Sequence, residues 1–132
     1  LSKVLEQGDD ASKQVAMATL VNHYYSNEQF FEVDSLLNMG IEITDDILSS
    51  KLLTVEGDMR VNDEEYDLAI ELYQGSIDAY PSPEVEFKMA QTLYKAGNND
   101  KAKKIVESLL DNEKISSTVK TKSSILKSQL DS

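Results

Sequence analysis

His23 is the only histidine in the chain, and no residues near it form a nucleophile or metal set, so a place on a helix surface or between helices accounts for it. Cysteine is absent, which excludes disulfides and thiolate metal sites but assigns no compartment. Carboxylates gather at Asp45-Asp46 and at Asp63-Glu64-Glu65. Both groups fall where helices are expected to begin, and acidic side chains there cap free N–H groups and complement the helix dipole. Asp58, Asn62 and Glu64 hint at a calcium loop, yet the twelve-residue spacing with its central glycine is missing. Neither a glycine-rich phosphate loop nor a nucleophile elbow occurs. The residues therefore predict no enzyme, no metal and no cofactor.

The side chains that remain must work by contact, which turns attention to charge and to the elements that carry it. The 132 residues hold 24 carboxylates against 13 lysines and arginines, a net charge of −11. That balance argues against nucleic acid and anionic lipid, which both demand clustered cations. No apolar run reaches the ~18 residues that would cross a bilayer, so direct membrane insertion is not expected. Residues 113–132 are mildly basic, with Lys114, Lys120, Lys122 and Lys127 against Glu113 and Asp131, as suits a solvated helix face. The chain opens at Leu1 rather than at methionine, which predicts a piece of a longer protein.

Apolar residues recur at helical spacing through almost the whole length. Leu20, Val21, Tyr24 and Tyr25 close a first stripe, and Phe30, Val33, Leu36 and Leu37 form a second, with Asn27 placed as an N-cap and Gly40 as a stop. Asp45 or Asp46 opens a helix through Met59, and Asn62 or Asp63 is placed as the cap of another that runs through Tyr66, Ala69, Tyr73 and Ile77. Pro81 and Pro83 break that helix and start the next, which stops at Gly97. Two further stripes follow, and nothing alternates with the two-residue period of a strand.

The helices pair, and the pairs share a register. Val33, Ala69 and Ala102 align at spacings of 36 and 33 residues, and Val21, Gly57 and Ala90 fall together in the first helix of each pair. Small residues in that column allow close backbone approach. Leu37, Tyr73 and Val106 fall together in the second helix, as plugs between pairs, and Gly40 aligns with Ser76 and Leu109. In this register the chain resembles the tetratricopeptide repeat family, most closely over residues 53–81 through Gly57, Ala69, Tyr73 and Pro81. Residues 90–110 and 17–40 match more loosely. No repeat has the family's tryptophan, Arg60 stands at a usually aromatic position, and Glu56 and Glu86 stand at usually apolar ones.

The resemblance implies an all-α fold: a right-handed superhelical stack of antiparallel helical hairpins, about 14–41, 46–81 and 83–111, with a capping helix at about 113–130. It also implies a scaffold or adaptor that holds a segment of another protein on the concave face of the first helices. Carried onto this chain, the groove candidates are Asn22 and Tyr25, then Lys51 and Asp58, then Phe87, Lys88, Gln91 and Tyr94. Some members of the family clamp a partner's terminal carboxylate; here Asn22 and Lys88 match, but Ala18, Val55 and Glu84 occupy the other places, so no clamp is expected. Mixed aromatics and amides point to amphipathic segments, and the acidic balance favours basic ones through faster encounter. Packing between hairpins is the alternative for Tyr25, Phe87 and Tyr94. Two further alternatives concern the whole chain. One is self-association through an apolar end face at Leu1, Val4 and Leu5, and the other is an accessory domain of a larger enzyme or regulator.

Overall fold

The computed structural model describes residues 4, 5 and 8–132, and Leu1 lies outside them. Among the described residues seven helices are bounded and no strand occurs: α1 Asp10–Ser26, α2 Phe30–Leu37, α3 Asp46–Asn62, α4 Tyr66–Ala79, α5 Pro83–Lys95, α6 Asn99–Asp111 and α7 Ser117–Leu130. The fold is all-α. Helices adjacent in sequence pack together, α3 on α4 most extensively, with α2 and α3 the exception, while α1 also meets α3 and α5 also meets α7.

Local chemistry sets the helix starts. The Asp9 carboxylate accepts from the Ser12 N–H at 2.8 Å, Asp45 accepts from Leu48 N–H at 2.9 Å, and the Ser116 hydroxyl accepts from Val119 N–H at 3.2 Å. Each satisfies a donor that the first helical turn leaves free. Pro83 stands in the first turn of α5, where its missing N–H costs nothing.

The helix ends depart from the sequence-based expectation in an informative way. Asn27 and Asp63 cap the C-termini of α1 and α3 instead of opening α2 and α4, and Asn62 is the last residue of α3. The reason is a turn that occurs three times. Glu28, Glu64 and Gly97 each adopt a left-handed backbone, with φ of 58°, 60° and 86°. Around each, the following N–H reaches back five residues, from Gln29 to Tyr24, Glu65 to Arg60 and Asn98 to Leu93, at 2.8–2.9 Å. This is the Schellman closure, which satisfies carbonyls that the helix end leaves free. Glycine meets that conformation without strain at position 97, whereas glutamate at 28 and 64 adopts it against its steric preference. The three turns sit 36 and 33 residues apart.

Burial follows the shared register. Val33, Ala69 and Ala102 are wholly buried, as are Val21 and Ala90 within about a percent, and Tyr73 covers Gly57. The core is continuous in kind but falls into three clusters, centred on Met17 and Val33, on Ala69 and Tyr73, and on Ala90 and Val106. At the amino end Leu5 is buried and Val4 packs against the first cluster, so these two residues belong to the core and present no open apolar face. At the carboxyl end α7 buries Val119, Ser123 and Leu126 and turns lysine, serine and threonine outward, with Ile125 the exception.

The long connection from 38 to 45 is held by one side chain. Gln14, buried on α1, accepts from the N–H groups of Thr44 and Asp45 at 2.8 and 3.0 Å and donates to the Thr44 hydroxyl at 3.0 Å. That clamp fixes where α3 begins, and with it the face that α3 turns toward α1.

Candidate binding cleft

The first helices of the pairs carry two distinct features, an apolar cleft and a polar junction. The cleft measures about 710 Å³ and lies between α1 and α3, closed at one end by the connection into α5. Val15, Ala18, Ile47, Leu48, Tyr80 and Val85 supply its apolar walls, with Asn22 and Lys51 among its polar residues. Val15, Ile47 and Tyr80 are each about half exposed, at 56%, 44% and 50%. Large apolar side chains scattered singly on a surface need no explanation, but three around one concavity form a place where apolar matter sits.

The floor between α3 and α4 is tied by hydroxyls. The Ser76 hydroxyl, fully buried, donates to the Ser50 carbonyl at 2.8 Å and lies 2.7 Å from both the Ser50 and Thr54 hydroxyls. Small polar residues at this crossing let the helices approach closely while leaving each buried oxygen partnered.

Toward the carboxyl ends of the same helices, four elements converge on one carboxylate. Asp58 on α3 accepts from the Tyr25 hydroxyl of α1 at 3.1 Å and from the Tyr73 hydroxyl of α4 at 2.5 Å. It also accepts from the Lys88 ammonium of α5, which spans both oxygens at 3.0 and 2.8 Å. Burial, reinforced by the Asp58 charge, pushes the Tyr25 hydroxyl up to about 12. The Tyr73 hydroxyl is pushed up further for the same reasons, burial first. Both phenols therefore remain protonated donors at any physiological pH, and the carboxylate's acceptor positions are filled. The junction is a lock between helices, with no free base or nucleophile in it.

A second charged group stands two residues on. Arg60 reaches Asp34 of α2 at 3.6 Å, Asp63 at 3.4 Å and Glu65 at 3.5 Å, so one cation serves three carboxylates. Glu56, one turn before Arg60 on α3, is half-buried, and burial raises its pKa above the usual carboxylate range despite the pull of Arg60. A carboxyl whose folded pKa is raised contributes stability that is complete below its unfolded pKa and is lost as pH rises through the folded one. Glu56→Gln is accordingly expected to raise the thermal midpoint at pH 7, with the gain disappearing below about pH 4, where both side chains are neutral. Thermal unfolding of the two proteins across that interval is the check.

The eight groove candidates thus separate. Asn22 and Lys51 line the cleft. Tyr25, Asp58 and Lys88 meet in the junction, so the lysine is already paired. Phe87 is buried in the third cluster with Ala90 and Val106, Tyr94 packs against that cluster, and Gln91 is exposed beside it. The cleft residues that the register does not single out are Ile47, Tyr80 and Val85. Ile47 and Tyr80 are half exposed and Val85 is buried, and their meeting at one concavity depends on how the helices pack, which is not written in their spacing.

Charge is divided along the chain. Residues 1–94 hold five cations and nineteen carboxylates, a net −14, whereas residues 95–132 hold eight cations and five carboxylates, a net +3. Lys101, Lys104, Lys120 and Lys122 are exposed on α6 and α7, and Lys103 pairs with Asp131 at 2.9 Å. Among the described residues no group of His, Asp and Glu is arranged to hold a metal ion, and no helix is long and apolar enough to cross a membrane. No protein-family model matches the chain, and no curated protein matches it.

Proposed function

We propose that the chain is a tetratricopeptide-like array, a right-handed stack of three helical hairpins with a capping helix, that holds a segment of another protein on the face of its first helices. The carrying observation is the cleft, an apolar concavity of about 710 Å³ between α1 and α3 with half-exposed walls. The array reading is supported by the thrice-repeated turn and by the equivalent burial of Val33, Ala69 and Ala102. Work by contact is further supported by the polar junction, whose carboxylate is filled and whose phenols stay protonated. The function proposed is that of a scaffold or adaptor, with no catalytic step.

Self-association is the second reading, and the division of charge favours it, because the basic α6–α7 end of one copy is complementary to the acidic remainder of another. One experiment addresses both. A photo-crosslinking residue is placed at Val15 or Ile47 in the cleft, and at Glu71 on the exposed face of α4 as the reference. Crosslinks to a different protein from the cleft positions alone are the expected result. Crosslinks to a second copy would favour self-association, and equal labelling from Glu71 would remove the cleft from consideration.

A further inference from the structure

We propose, resting on that reading of the cleft, that its occupant is an apolar peptide segment bearing an Asp or Glu side chain, and that Lys51 is the counter-ion for that carboxylate. Among the described residues Lys51 is the one charged residue lining the cleft. This is notable against its surroundings, since residues 1–94 carry nineteen carboxylates and, among the described residues, none of them lines the walls. The other cations carried by α3 and the facing part of α5 are taken: Arg60 by Asp34, Asp63 and Glu65, and Lys88 by Asp58. Among the described residues no carboxylate pairs with Lys51, and its side chain is exposed.

The placement on α3 suits this role. Lys51 stands one turn after Ile47 and one turn before Val55, both of which line the cleft, so all three share a helix face. A lysine stem lies along apolar surface of this kind while its ammonium keeps to the rim. A segment seated here would bury apolar side chains between Val15, Ile47 and Tyr80 and meet a positive charge at the edge. Asn22, exposed on the opposite wall, offers an amide to its backbone.

The local charge thereby opposes the global one. A net charge of −11 draws basic segments toward the molecule at long range, but a lysine or arginine entering the cleft finds Lys51 and no lining carboxylate to compensate it. Encounter rate follows the summed field, whereas residence follows the groups in contact.

The test uses random dodecapeptides displayed on phage and panned against the full chain. Recovered peptides are then measured individually against the chain, Ile47→Asp and Lys51→Glu. Peptides that lose binding in Ile47→Asp are the cleft binders. They are expected to combine aliphatic or aromatic residues with an Asp or Glu, and to bind Lys51→Glu about two- to fivefold more weakly, as for an exposed ion pair. Exchanging that acidic residue for lysine in the peptide should restore binding to Lys51→Glu, which a merely misfolded variant would not do. Cleft binders without a carboxylate, with lysine or arginine instead, or indifferent to Lys51→Glu overturn the assignment of the carboxylate and leave the cleft standing. If no peptide is recovered, or if all are indifferent to Ile47→Asp, the cleft itself falls and the assignment with it.

Discussion

Replacing Asp58 by alanine is expected to destabilise the fold by about 3 kcal/mol, a fall of roughly 10 °C in the thermal midpoint for a chain of this length. The loss does not come from one ion pair. Asp58 is the acceptor for Tyr25, Tyr73 and Lys88 at once, and the Tyr73 hydroxyl is carried by a residue that is 98% buried, its relative exposure being 2%. Truncation strands these donors where water replaces the carboxylate poorly, and an unmet buried donor is worth more than the bond itself. Asp58→Asn keeps an acceptor for one phenol and loses the charge that Lys88 pairs with, so it should fall between the two. Lys88→Met, with a lysine that is 40% exposed, should cost about 1 kcal/mol or less. Calorimetry on the three variants gives the ranking, and an Asp58→Ala loss no larger than the ~0.5 kcal/mol of an ordinary surface change would dissolve the idea of a lock.

The second large effect runs against helix propensity. Gly57 lies in the middle of α3, where alanine normally gains about 1 kcal/mol. Here a Cβ would stand 2.5 Å from Cε1 and 2.7 Å from Cδ1 of Tyr73. The ring has no room to retreat, because it is buried and its hydroxyl is tied to Asp58. Gly57→Ala is therefore expected to destabilise by about 1–3 kcal/mol, the usual cost of an overpacked core. Combining it with Tyr73→Leu removes the ring and should reverse the sign, so that alanine becomes the better residue. Equilibrium unfolding of the two single variants and the double isolates the coupling. Equal effects of Gly57→Ala in both backgrounds would show that the contact is not what requires glycine.

These two sites show what the sequence discloses and what it withholds. The helices are legible because their apolar periodicity is strong. So is the register, since Val33, Ala69 and Ala102 occupy the same place in three similar pairs and are all at 0% exposure. Gly57 is legible as a close approach and Tyr73 as the group filling it. The caps at Asn27 and Asp63 are each misplaced by two residues, because the Schellman turn extends past the last apolar residue and uses glutamate where glycine is the recognisable signal.

The candidate site is legible in part. Register places Tyr25, Asp58 and Lys88 on one face, but it does not tell whether neighbours on that face point to a partner or to each other. Their convergence depends on side-chain reach across 30 and 33 residues of sequence. Phe87 goes inward to the third cluster while Glu86 stays half-buried, a division that adjacent positions at a helix boundary do not reveal.

The three left-handed turns have a consequence for the way the chain reaches this structure. Each joins two helices with bonds that close within six residues, and adjacent helices supply most of the packing. Contacts of this kind have short sequence separation, so the chain searches little before its helix pairs meet, and folding of such topologies belongs to the microsecond-to-millisecond range. Polar contacts that span about thirty residues join what the turns leave apart, among them the Gln14 clamp on the connection to α3 and the bonds of Asp58 to Tyr25 and Lys88. The turns shorten the search, and the Gln14 amide and Asp58 carboxylate then tie together helices that are distant in sequence.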